Sequence, residues 1–124
     1  MKILFCDDNQ LMRTTVPMVL GFAGHSVETV EDGRDALERI ESDPEAFDVL
    51  ITDNNMPRLS GIELVKRLRG RNVPIKIVMA SAFASQVDAI SREELRLDGV
   101  LQKPFSKAEL LACVKNLGHQ TGYP

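Results

Sequence analysis

The sequence predicts an α/β domain in which a five-stranded parallel sheet carries helices on both faces. Two patterns predict it. Five short, β-branched apolar runs alternate with stretches whose apolar residues recur at helical spacing. Strands separated by helices pair in parallel, because each crossover must return right-handed to the same sheet. The size agrees: 124 residues, 44% of them hydrophobic, suit one compact domain with a core and leave no room for a second. There is no internal repeat, linker or low-complexity tract.

The elements follow in order. KILFC at residues 2–6 is the first strand, closed by two acids. Leu11, Thr15, Met18, Val19 and Phe22 then recur at helical spacing and form the first stripe. Pro17 falls inside it, where it deletes the bond to the Arg13 carbonyl and would cost about 3 kcal/mol in a regular helix interior. A kink or a late helix start is expected. HSVETV at residues 25–30 alternates as an edge strand does, and EDGRDAL follows it. DVLIT at 48–52 and IKIVMA at 75–80 are the third and fourth strands, with a shorter stripe of Leu64, Val65 and Leu68 between them. GVLQ at 99–102 is the fifth strand, and Leu110, Leu111, Val114 and Leu117 line the last helix. The tail GHQTGYP has no periodicity, so the domain is placed at 1–118 and residues 119–124 are expected to fray. Met12, Met18 and Met79 are expected as core filler, and Gly33 and Gly99 as turn residues.

Charge and composition exclude several functions. A net charge of -3 and a pI near 5.4 argue against the basic stripe that nucleic-acid modules show, so nucleic acid is not an expected partner. No apolar run approaches the roughly 18 residues of a membrane span, and MKILFCDD turns acidic before a secretory core is complete. A soluble, cytoplasmic chain without membrane insertion is expected. Cys6 and Cys113 lack CxxC or zinc spacing and are expected as buried reduced thiols. His25 and His119 are isolated and are assigned to turns or the surface.

The polar residues that matter sit at strand ends. LITDNNMPRLSG, at residues 50–61, sets an acid and two amides directly after a greasy run. In an open α/β sheet, ligands sit outside the carboxyl ends of the strands, near the point where strand order reverses. The first strand ends in Asp7 and Asp8, the third in Asp53 and the fourth in Ser81, while Lys103 follows the fifth. Three carboxylates at one sheet edge repel one another unless a cation joins them. Mg²⁺ suits that site, since it takes one or two carboxylates together with waters and phosphate oxygens. Pro57 and Gly61 shape the loop after Asp53, with glycine permitting a close approach or a helix start.

FCDDN, DNNMPRLSG, VMASA and LQKPF, in that order and at the ends of the right strands, closely resemble the receiver domain of two-component response regulators. The resemblance runs from Ile3 to about Leu117 and includes EDGRDAL. It implies a flavodoxin-like, doubly wound fold with strand order 2-1-3-4-5. It also implies that Asp53 accepts a phosphoryl group, with Asp8 a direct Mg²⁺ ligand, Asp7 one acting largely through water, and Asn55 contributing its backbone carbonyl. Lys103 would neutralise the phosphoryl oxygens, Ser81 would donate its hydroxyl to one of them, and small Ala82 would leave room. The Lys103-Pro104 bond is expected to be cis. The implied partners are a histidine kinase or histidine phosphotransferase, docking near Gln10, Leu11, Thr14, Pro104 and Phe105, and a downstream protein target. Such domains catalyse only their own phosphorylation and dephosphorylation.

One position departs from the family pattern. Many receivers carry Tyr or Phe three residues before the lysine, where this chain has Val100. Valine has no ring to swing, so a muted output, suited to a phosphoryl shuttle or sink, is expected, with Phe83 a substitute reporter. With no output domain following, the chain is either a stand-alone receiver or the front of a longer regulator. A phosphate-independent pseudo-receiver would have lost an acid or the lysine. An aspartate-nucleophile phosphatase of the haloacid dehalogenase type would need an acid two residues past Asp53, where Asn55 stands.

Overall fold

Branched aliphatic side chains suit a pleated sheet covered on both faces, and the apolar runs accordingly become strands. They are β1 (Lys2–Cys6), β2 (Ser26–Val30), β3 (Val49–Asp53), β4 (Lys76–Ser81) and β5 (Gly99–Gln102). A computed structural model describes residues 1–82 and 89–121, and in it the five strands form one parallel sheet in the order β2-β1-β3-β4-β5. The chain runs outward from β1 to β2 and then crosses to β3, so strand order reverses between β1 and β3. That places the switch-point crevice beside Asp7 and Asp53.

The helices are α1 (Gln10–Phe22), α2 (Gly33–Ser42), α3 (Gly61–Gly70), α4 (Ala89–Glu94) and α5 (Lys107–Thr121). Alternation along the strands sends successive side chains to opposite faces and divides the core in two. On one face Leu4, Leu50, Ile77 and Met79 pack against Leu37, Ile40, Leu64 and Leu68 of α2 and α3. On the other Ile3, Phe5, Ile51 and Val78 pack against Val16, Leu20, Leu110 and Val114 of α1 and α5. β2 is the half-exposed edge strand that its alternation predicts, whereas β3 is buried throughout. No helix among the described residues is long and apolar enough to cross a membrane.

Several expectations need correction. α1 does not start late: Asn9 caps it by accepting the Met12 N–H at 3.2 Å, and the helix runs through Pro17 to Phe22. Its buried stripe is also not the expected one. Leu11, Met18 and Phe22 are 71%, 58% and 90% exposed, while Val16 and Leu20 are buried. Two apolar stripes compete on this helix, and its seat against β1 and α5 selects Val16 and Leu20, so Met18 is not core filler. Met12 is half-buried and Met79 buried, as expected. α5 runs from Lys107 to Thr121.

Gly33 and Gly99 begin α2 and β5 rather than forming tight turns. A Cβ on Gly33 would lie 2.3 Å from the Leu59 carbonyl oxygen, so what glycine supplies there is a close backbone approach. β3 and β4 each begin and end one residue later than expected, which makes Asp53 and Ser81 the last paired residues of their strands.

Candidate functional site

Parallel register sets the site, because neighbouring strand ends lie about 4.8 Å apart. Cys6 pairs with Thr52, Asp53 with Ala80 and Ser81 with Gln102, so Asp7, Asp53, Ser81 and Lys103 end four adjacent strands at one edge. Asp7 and Asp53 are buried and Asp8 is exposed, and ligand oxygens from the three lie within 4.8 Å of one another.

Local hydrogen bonds aim each group. Asp7 Oδ1 accepts the Asn9 N–H at 2.9 Å, and Arg13 Nη1 donates to the Asp7 carbonyl at 2.9 Å. Asp53 Oδ1 accepts the Asn54 N–H at 2.9 Å. Lys103 reaches in from the end of β5, with Nζ 2.5 Å from Asp7 Oδ2 and 3.6 Å from Asp53 Oδ1. Its N–H donates to the Ser81 carbonyl at 2.9 Å, and the Lys103-Pro104 bond is cis, as expected. Ser81 is buried at the end of β4, and Ala82 follows it in a turn.

Burial raises the Asp53 pKa above the ordinary carboxylate value. Lys103 opposes that rise, Asp7 adds to it, the Asn54 N–H opposes it and Asp8 adds to it. Three carboxylates against one ammonium leave the cluster net negative. An all-oxygen donor set with a spare negative charge fits a hard divalent cation such as Mg²⁺.

The loop leaving Asp53 is tightly specified. Asn54 uses its carbonyl to accept the Gly61 N–H at 3.0 Å and its side-chain oxygen to accept the Ile62 N–H at 3.1 Å. A Cβ on Gly61 would lie 2.4 Å from the Asp53 carbonyl oxygen, so the expected close approach and helix start are both found at this residue. Asn55 is exposed, two residues beyond Asp53. Met56 packs its sulfur 3.2 Å from Cys6 Sγ. Cys6 itself is buried deeply enough to push its thiol pKa up to about 12.

Sequence reasoning missed two contributors. Asn54 was legible only as half of the amide pair after Asp53. Gln102 stood inside the LQKPF motif with no role assigned, yet its amide donates to the Ala82 and Lys103 carbonyls at 2.8 Å each, tying β5 to the loop after β4. Val100 is half-buried opposite Met79, and Phe83 lies outside the described residues.

A five-stranded 2-1-3-4-5 sheet with an acid triad and a lysine at its switch point defines a class, the CheY-like, flavodoxin-type receiver fold. Residues 3–115 match the family model described as the response regulator receiver domain, and the chain belongs to that family. It is 37% identical over 120 residues to Response regulator MprA of Mycobacterium tuberculosis, covering 97% of this chain and 51% of that protein. The chain thus spans about half the length of the curated relatives it matches. Among solved structures, the receiver domain of Francisella response regulator 1452 is 32% identical with a TM-score of 0.87, over 97% of this chain and 98% of that one. Chemotaxis response regulator CheY4 of Vibrio cholerae is 34% identical with a TM-score of 0.84, over 94% and 97%. Response regulator TrrA of Thermotoga maritima, solved in complex with Mg²⁺ and BeF, is 29% identical with a TM-score of 0.83, over 94% and 97%.

Proposed function

We propose that this receiver domain takes a phosphoryl group onto Asp53 from the phosphohistidine of a histidine kinase or histidine phosphotransferase. The convergence of Asp53, Asp7, Asp8 and Lys103 at the switch point carries this reading. An Asp53 oxygen attacks phosphorus as the N–P bond breaks, and the electron pair of that bond stays on the departing imidazole, which takes up a proton. Lys103 bridges Asp7 and Asp53 and moves a short distance onto the phosphoryl oxygens as their charge arrives at Asp53. The Ser81 hydroxyl stabilises another of those oxygens. Mg²⁺, held by Asp8, Asp53, the Asn55 carbonyl and, through water, Asp7, would neutralise phosphoryl charge. Water later attacks the same phosphorus, the P–O bond to Asp53 breaks with its electron pair returning to the carboxylate, and inorganic phosphate leaves, so the domain acts catalytically only on itself.

Docking of the phosphodonor is assigned to the N-terminal end of α1, at Gln10, Leu11 and Thr14, together with Pro104 and Phe105. The exposed Leu11 side chain supports this, and so does the 230 Å³ groove between α1 and α5 lined by Met12, Val16, Val19 and Phe105. Val100 supports a shuttle or sink role over a strong switch of the face formed by α4, β5 and α5, because valine offers no ring to move. A downstream target and a cytoplasmic location complete the reading.

The test is phosphorylation with acetyl phosphate and Mg²⁺. The protein should gain one hydroxylamine-labile phosphoryl group, and Asp53→Asn should abolish it. Equal labelling of the variant refutes the assignment. A pseudo-receiver would take no label, and a phosphatase of the dehalogenase type would turn over small phosphoesters.

A further inference from the structure

The loop that joins Asp53 to α3 contains a strained turn. Arg58 has φ 71°, and the N–H of Leu59 donates to the Pro57 carbonyl at 2.8 Å across it. A three-residue turn whose central residue has positive φ is the rare hand of the γ-turn, and an arginine Cβ disfavours it further. Such a conformation persists only where its surroundings hold it.

The holding contacts come from the start of α2. Arg58 Nη1 lies 3.2 Å from Asp32 Oδ2 and 3.8 Å from Asp35 Oδ1. The Asp32 side chain is 9% exposed, and its other oxygen caps α2 by accepting the Asp35 N–H at 2.8 Å. One residue on, Leu59 is buried with its carbonyl against Gly33, the approach that excludes a Cβ there. Earlier in the loop, Asn54 is bonded to Asp53 and Met56 is packed on Cys6. Asn55 therefore sits between fixed neighbours, and the far anchor of that span is the Arg58 ion pair.

We propose that Arg58 is a positioning residue: through Asp32 and Asp35 it latches the loop after Asp53 to α2, and so sets the direction of the Asn55 carbonyl toward the cation at the acid cluster. This rests on the phosphoacceptor reading for its role, though not for its geometry. An ion pair whose arginine is 56% exposed adds little to global stability. The latch should accordingly act on the site while leaving the fold as stable as before.

Asp32→Asn keeps an oxygen for the cap and removes the charge, Arg58→Gly removes the pair and relieves the turn, and Arg58→Lys keeps the cation. The readouts are amide exchange at Leu59 and Gly61 without metal, the Mg²⁺ midpoint from amide shifts, the rate of labelling by acetyl phosphate, and the urea midpoint. Asp32→Asn and Arg58→Gly should speed Leu59 exchange and raise the Mg²⁺ midpoint about tenfold, the usual effect of removing a partner that orients a metal ligand. Their urea midpoints should stay near that of the parent, and Arg58→Lys should restore most of the Mg²⁺ affinity. An unmoved Mg²⁺ midpoint in both variants overturns the proposal, whether or not exchange changes. If exchange and Mg²⁺ midpoint shift while the parent takes no phosphoryl group, the latch stands and the phosphoacceptor reading fails.

Discussion

Replacing Asp53 by Asn should stabilise the metal-free protein. Asp7 repels Asp53 across at most 4.8 Å, about 3.5 kcal/mol at an effective dielectric of 20. Asp8 is exposed, and water reduces its share to about 1 kcal/mol. Lys103, at 3.6 Å, returns about 4.6 kcal/mol. These charges nearly cancel, so burial of the carboxylate decides the sign. Its effective cost is several kcal/mol for a fully buried ion, and Asp53 still receives the Asn54 N–H, which leaves on the order of 2 kcal/mol. An asparagine oxygen can keep that bond without the charge. In urea with a chelator at pH 7, the midpoint of Asp53→Asn should rise by about 1 M.

The pH dependence follows from the raised pKa of Asp53. Between the ordinary carboxylate value of 3.8 and the raised one, the native protein binds more protons than the unfolded chain. The Asp53 contribution to parent stability therefore falls as pH rises through that window, while the variant has no carboxyl at that position. The variant's advantage should vanish below 3.8 and be complete above the raised value. Mg²⁺ at a hundred times its dissociation constant should add about 2.7 kcal/mol to the parent and reverse the order. A variant less stable than its parent at pH 7 in chelator, or an advantage independent of pH, refutes the electrostatic reasoning.

The remaining predictions test other parts of the fold and site. Leu20→Ala should cost about 3 kcal/mol, whereas Leu11→Ala on the same helix should stay within about 0.5 kcal/mol by urea unfolding; equal losses would mean that the α1 stripes are assigned backwards. Gly61→Ala drives a methyl into the Asp53 carbonyl and should cost about 3 kcal/mol and slow labelling, while Gly21→Ala, with open space around it, should be neutral or stabilising. With its thiol pKa near 12, Cys6 is about one part in ten thousand thiolate at pH 8 and should resist iodoacetamide until the protein unfolds, as a peptide map of the alkylated protein would show. Beryllofluoride should shift amides near residues 53–60 and 81–82, and equally large shifts across Val100, Leu101 and 107–111 would rule out the shuttle reading.

Most of the strand pattern was legible because it is local. β-branched runs bounded by acids, glycine or proline specify a strand whatever surrounds them, and alternation in residues 25–30 marks an edge because one face of an edge strand meets water. The acids at the strand ends were legible for the same reason: they directly follow those runs. α1 was harder, since its composition offers two apolar stripes and nothing within the helix ranks them. Gly33 looked like a turn because its partner, the Leu59 carbonyl, is distant in sequence.

By itself, then, the sequence determined the alternating architecture and the charged residues at the strand ends, both of which depend on residues a few positions apart. The tertiary structure alone decided what Lys103 touches, a carboxylate 96 residues away, and what holds Arg58, an acid 26 residues away. Such pairs leave no local pattern. They form only when the sheet's register brings strand ends together and packing on its faces sets how closely the loops approach.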